Sequence, residues 1–122
     1  HYSERDVTEG ARALTGLTLD RLTQEPVYRP RLHDAGSKTF LGRTGPLGWE
    51  AVLDQIVQQP AADRFIAGKL WQFFAGSPPS PALQNALADA FRASDRQFHP
   101  FLHTLFRSEA FYAPEVIRQQ IK

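Results

Sequence analysis

The 122-residue chain contains no cysteine. That excludes a disulfide scaffold, a zinc–thiolate site and a cysteine nucleophile. It contains no methionine either, and it opens His1-Tyr2-Ser3. A ribosomal product starts with Met, so these residues are expected to be a piece of a longer chain, processed or excised. An excess of one charge is missing too: the net charge is +1, with seven Lys/Arg against eight Asp/Glu in residues 1–61 and seven against five in 62–122. Neither half is a basic arm, and no nucleic-acid footprint is present. No apolar run approaches the ~18 residues of a membrane span, and no stretch of these residues reads as a signal peptide.

What is there is a globular composition, 42% hydrophobic and 22% charged, outside the territory of disorder. A chain of this length buries roughly 65% of its extended surface on folding and needs no metal or disulfide to do so. A single domain over residues 1–122 is the expectation.

Ser3-Glu4-Arg5-Asp6 opens like a capping box, a hydroxyl and an acid three residues apart that satisfy free amides of a first helical turn. Val7, Ala11 and Leu14 follow on one helical face, and Gly16 is a stop, which predicts a helix at about 4–14. From Leu17 to Leu32 the pattern reads as two short extended pieces around a turn near Gln24-Glu25-Pro26, marginal in water unless helices back them. Residues 33–48 hold four of the eight glycines and read as a long loop, with Lys38–Leu41 as the stretch that could form one short strand.

After Gly48 the period is helical. Trp49, Val52, Leu53, Ile56 and Val57 form one apolar stripe, and Phe65, Ile66, Leu70, Phe73 and Phe74 a second, opened by Pro60 and ended by Gly76. Ser77-Pro78-Pro79 is a stiff connector. Ser80-Pro81 caps a helix carrying Leu83, Leu87, Ala90 and Phe91 to about Ala93. A further helix starts near His99-Pro100 with Phe101, Leu102, Leu105 and Phe106; Ser108 caps a short turn with Phe111 and Tyr112, and residues 115–122 begin another helix. The fold class is therefore mainly α: five or six amphipathic helices around one core, with a small β-hairpin and a long Gly-rich loop.

Four constellations offer chemistry. His99 and His103, spaced i, i+4, share a helix face as two metal ligands do, but a metal needs a third ligand and no acid lies on the adjacent turns, so they read as surface histidines. Glu50 and Asp54 read as the solvated face of an amphipathic helix, with Glu50 in the dipole-favoured first turn. Gly42, Gly45 and Gly48 precede a helix but lack the Gly-Lys-Ser/Thr of a phosphate loop. The fourth, His33-Asp34-x-Gly36-x-Lys38, places an imidazole, a carboxylate and an ammonium within six residues. A carboxylate-oriented imidazole can act as a general base and an ammonium can stabilise an anion. The competing reading is structural: an Asx turn at Asp34, positive φ at Gly36, and His33 and Lys38 tying the loop to a helix. Lys69-Leu70-Trp71-Gln72-Phe73-Phe74 reads as a heavy core helix with Lys69 snorkelling or salt-bridged.

Four ordered segments resemble the bacterial domain-of-unknown-function family numbered 1800. They are Tyr2-Ser3-Glu4-Arg5-Asp6-Val7 with Ala11-Arg12-Ala13-Leu14-Thr15-Gly16; His33-Asp34-Ala35-Gly36-Ser37-Lys38-Thr39-Phe40-Leu41-Gly42; Gln59-Pro60-Ala61-Ala62 with Arg64-Phe65-Ile66-Ala67 and Lys69-Leu70-Trp71-Gln72-Phe73-Phe74; and Ser108-Glu109-Ala110-Phe111-Tyr112. The sequence departs at Leu17, where the family often has Trp, and at His99 and His103, where Arg is usual. The resemblance implies an internal-to-C-terminal fragment of a longer exported protein, periplasmic or extracellular. Its expected partner is another exported bacterial protein or a cell-surface polymer; no cofactor is implied. The function expected is an uncharacterised helical scaffold or interaction domain. The alternative is a hydrolase of extracellular glycan or polymer, with His33 and Asp34 as acid/base pair and Lys38 or Glu50 assisting.

Overall fold

A computed structural model describes residues 2–120, so the last two positions of the helix expected at 115–122 lie outside the described residues. The architecture is mainly α. The order is α1 (Glu4–Ala13), β1 (Leu17–Leu19), β2 (Pro26–Tyr28), β3 (Lys38–Phe40), β4 (Arg43–Gly45), α2 (Trp49–Val57), α3 (Pro60–Ala75), α4 (Pro81–Ala93), α5 (Phe98–Arg107) and α6 (Pro114–Gln120). Short 3-10 turns lie at Pro30–Leu32 and Glu109–Tyr112. The chain divides into two compact units, residues 1–56 and 57–122.

In the first unit the capping box forms as expected: Asp6 N–H donates to Ser3 Oγ at 3.2 Å and Ser3 N–H donates to Asp6 Oδ2 at 2.8 Å. The Ser3 hydroxyl also donates to Asp6 Oδ2 at 2.7 Å; this bond first, then the one from Ser3 N–H, holds the Asp6 carboxyl below its ordinary range. The two extended pieces pair as the antiparallel hairpin β1–β2, with Leu17 opposite Tyr28. A second hairpin pairs Lys38 with Gly45 and Phe40 with Arg43 around a two-residue turn. Leu41 (φ 44°) and Gly42 (φ 82°) are both left-handed there, as a hairpin turn matching strand twist requires. β4 is hard to read from the sequence because Arg43-Thr44-Gly45 has no apolar alternation, and a single β-branched Thr44 sits between an arginine and a glycine.

The face of α1 that packs is not the one Val7, Ala11 and Leu14 define. Val7 and Leu14 are exposed, while Gly10 and Ala13 are buried. A Cβ on Gly10 would stand 3.0 Å from the Phe40 ring, so the missing side chain lets α1 lie directly on β3. The small core holds Ala13, Phe40, Leu47 and Val52.

In the second unit the core gathers Ala67, Trp71, Leu87, Phe91, Phe101 and Leu105. The expectation of one core fed by every stripe from Trp49 onward is thus corrected. α2 gives its buried residue Val52 to the first cluster, and Leu53, Ile56 and Val57 are exposed. The α3 stripe is corrected as well. The helix buries Asp63, Ala67, Gly68, Trp71 and Ala75, while Phe65 and Phe73 are exposed. Small residues face inward because α4 comes close: a Cβ on Gly68 would meet Gln84 Nε2 at 3.0 Å. Ser80 caps α4 by accepting Leu83 N–H, as expected. Ser108 does not cap: its hydroxyl donates back to Leu105 O at 2.7 Å.

Asp63, 1% exposed, is held by two arginines that the sequence pattern does not single out. Arg92 Nη2 donates to Oδ2 at 2.9 Å and Arg96 Nε to Oδ1 at 2.8 Å. Burial raises the carboxyl, but the hydrogen bonds from Arg96 and Arg92 outweigh it and leave Asp63 below its ordinary value. Arg96 reaches the acid because Asp95 (φ 54°) and Arg96 (φ 56°) are both left-handed after α4, strain of about 1 kcal/mol each that the ion cluster offsets. Asp63→Ala therefore removes charge-assisted bonds worth about 2 kcal/mol; a drop of that size in the denaturant-derived stability checks it, and an unchanged midpoint contradicts it.

Candidate functional site

The His33–Lys38 segment closes against α1 and the two residues after it. Thr15 is the pivot. Its hydroxyl donates to Arg12 O at 2.6 Å and accepts Asp34 N–H at 2.8 Å. Its carbonyl lies 2.9 Å from His33 Nδ1, which places the ring proton on Nδ1 as donor. The ring sits 6.0 Å from that of Tyr28, and Gly16 leaves the space: a Cβ there would meet His33 Cβ at 3.1 Å.

Asp34 is engaged on both oxygens. Arg12 Nε donates to Oδ2 at 2.8 Å and Arg12 Nη2 to Oδ1 at 3.3 Å. Gly36 N–H donates to Oδ1 at 2.9 Å, forming the expected Asx turn. The Arg12 hydrogen bond first, then that of Gly36, pulls the Asp34 carboxyl down to about 2. The same guanidinium donates to Glu9 Oε2 at 2.9 Å through Nη1, and its own pKa is raised by Asp34 and then Glu9. Gly36 does not have the positive φ expected of it. Its requirement is room, since a Cβ would stand 3.0 Å from Asp34 Oδ1 and 3.1 Å from Arg12 Nη2.

Lys38 is 1% exposed. Its ammonium donates to the carbonyls of Asp34 and of Gly36, the latter at 3.0 Å. It ties the loop to itself rather than to a helix, which corrects that part of the structural expectation. Buried amines need such partners, and here backbone oxygens serve.

The structure thus brings His33, Asp34 and Lys38 together and adds Glu9, Arg12 and Thr15. What the arrangement leaves open for chemistry is the second ring nitrogen of His33, Nε2. Glu50 and Asp54 lie exposed on α2 and make no hydrogen bond to this loop among the described residues. His99 and His103 are exposed on α5. Among the described residues no group of three His, Cys, Asp or Glu could hold a metal ion, and no helix is long and apolar enough to cross a membrane. Glu9 and Arg12 were discoverable as an i, i+3 pair on α1; that Arg12 bridges 22 positions to Asp34 has no local signal.

The lowered carboxyl fixes a pH dependence. A group whose pKa falls on folding adds stability above its unfolded value, near 3.8, and that contribution is lost as pH drops through about 2. The melting-temperature gap between the wild-type chain and Asp34→Asn should be constant above that range and close as pH falls through it. A gap that persists unchanged at the acid end contradicts the Arg12–Asp34 account.

No curated protein and no solved structure matches the chain. The family described as "Protein of unknown function (DUF1800)" matches residues 1–122 of the chain. The chain belongs to the DUF1800 family.

Proposed function

We propose that this chain is a non-catalytic helical interaction scaffold of an exported bacterial protein, and that residues 33–38 brace it rather than perform chemistry. The observation that carries the reading is the accounting of donors and acceptors in the loop. The Lys38 ammonium is buried on two carbonyls, and both Asp34 oxygens are occupied by Arg12 and Gly36. An ammonium withdrawn from solvent cannot meet a substrate anion, and a carboxylate spent on a guanidinium is not free to orient the imidazole. His33 donates to Thr15 O instead of to Asp34. Placement outside the cytoplasm, and a second exported protein or a cell-surface polymer as the partner, rest on the family resemblance.

The hydrolase alternative reduces to His33 Nε2 acting without the other two side chains. The two readings separate in one set of variants. Lys38→Met removes the hydrogen bonds from the buried ammonium to the Asp34 and Gly36 carbonyls and should cost about 2 kcal/mol; His33→Ala should lower the melting temperature, and neither variant nor the parent chain should turn over a glycan or ester panel. Turnover by the parent that His33→Ala abolishes, with the melting temperature unmoved, would overturn the scaffold reading in favour of the hydrolase.

A further inference from the structure

We infer that the outer stripe of α3 is a docking surface for an acidic amphipathic helix; this rests on the scaffold reading and names its partner class. α3 has two sides, and its own bundle uses only one. Inward lie Ala67, Gly68, Trp71 and Ala75. Outward lie Phe65, Ile66, Lys69 and Phe73, at the i, i+3/i+4, i+7/i+8 spacing of a single stripe, with Phe65 61% and Phe73 79% exposed. Large aromatics in a row on a helix surface mark an interaction site rather than scattered apolar exposure.

The stripe is built and held. Phe73 stands edge-to-face on Phe74 at 4.9 Å, and Phe74 stands in the same way on Phe106 at 4.9 Å. Lys69 Nζ lies 5.7 Å from the centroid of the Phe65 ring. Beside these residues a groove of about 170 Å³ runs between α3 and Pro78-Pro79, with Gln72 in its wall. That is room for a protruding apolar side chain, which a helix laid along the stripe supplies and a flat surface does not.

Charge selects the partner. The only acid on α3 is Asp63, which is buried beneath Arg92 and Arg96. On the stripe itself Lys69 is exposed and has no carboxylate partner among the described residues; Arg64 lies off it, in the cleft with Asn85 and Asp89 of α4. An apolar stripe with Lys69 at its middle asks for an apolar stripe with a carboxylate at its middle. A second copy of the chain is disfavoured, because a two-fold pairing of this stripe returns Lys69 onto Lys69.

The test uses the full chain and a fluorescein-labelled synthetic helix of about 18 residues. The probe carries Leu at i, i+3, i+4 and i+7 with Glu between them, and its twin carries Lys for Glu. Fluorescence anisotropy should show roughly tenfold tighter binding of the Glu probe, a preference that Lys69→Glu reverses. Phe73→Ala should weaken both probes without moving the melting temperature, because the ring lies outside the core. An unchanged ratio in Lys69→Glu overturns the inference. So does self-association in sedimentation that Phe73→Ala abolishes, or capture by phosphatidylglycerol vesicles in place of the Glu probe. None of these outcomes alters the His33 and Lys38 result, so failure here is distinguishable from failure of the scaffold reading itself.

Discussion

Strands of three residues cannot hold themselves, and in the first unit the missing support comes from carboxylates on α1. Phe40 and Arg43 flank a two-residue turn, so Thr39 falls at a position whose N–H points away from β4. That N–H donates to Glu9 Oε2 at 3.2 Å, and Leu41 N–H donates to Asp6 Oδ1 at 2.8 Å. Asp6 and Glu9, one helical turn apart, do for β3 what a third strand would do. The same device closes an open sheet edge, which is otherwise a site for unwanted pairing. Arg12, a turn further on, extends the row to Asp34. One helix face thereby fixes both the hairpin and the loop, and it is a polar face.

That arrangement explains why periodicity does not mark the packing side of α1. Hydrophobic spacing marks Val7, Ala11 and Leu14, yet the helix lies down on Gly10 and Ala13, where the backbone can come near enough for Asp6 and Glu9 to reach amides. The second unit repeats the lesson. α3 turns Ala67, Gly68 and Ala75 inward with Trp71 and leaves Phe65 and Phe73 outside. In both helices small residues let the neighbouring element come close, so hydrophobic bulk alone does not mark the inner face.

Much of the fold was legible in the sequence because its signals are local. Ser3 with Asp6, Ser80 with Pro81, Pro60, and Gly76 in a left-handed cap each mark a helix end through a contact spanning four residues or fewer. The β1–β2 hairpin was legible from its turn. Less legible were β4, where Thr44 alone favours a strand, and the inner faces of α1, α2 and α3, because a period places residues on a face without saying which face meets a neighbour. In the candidate site, the grouping of His33, Asp34 and Lys38 was visible as adjacency. Their partners were not, since Arg12 to Asp34 and Thr15 to His33 are long-range pairings set by the fold. The Asp63 cluster was invisible for the same reason: it depends on a left-handed pair at Asp95 and Arg96 that neither residue type announces.

The first unit is therefore held by polar contacts around a small core, and the loop with the most chemical promise is the one most heavily tied down. Amide hydrogen exchange at Thr39 and Leu41 tests this most directly. The account predicts that both amides are protected as ladder amides are, and that Glu9→Ala exposes Thr39 while Asp6→Ala exposes Leu41. Rapid exchange at both positions in the unaltered chain would contradict it.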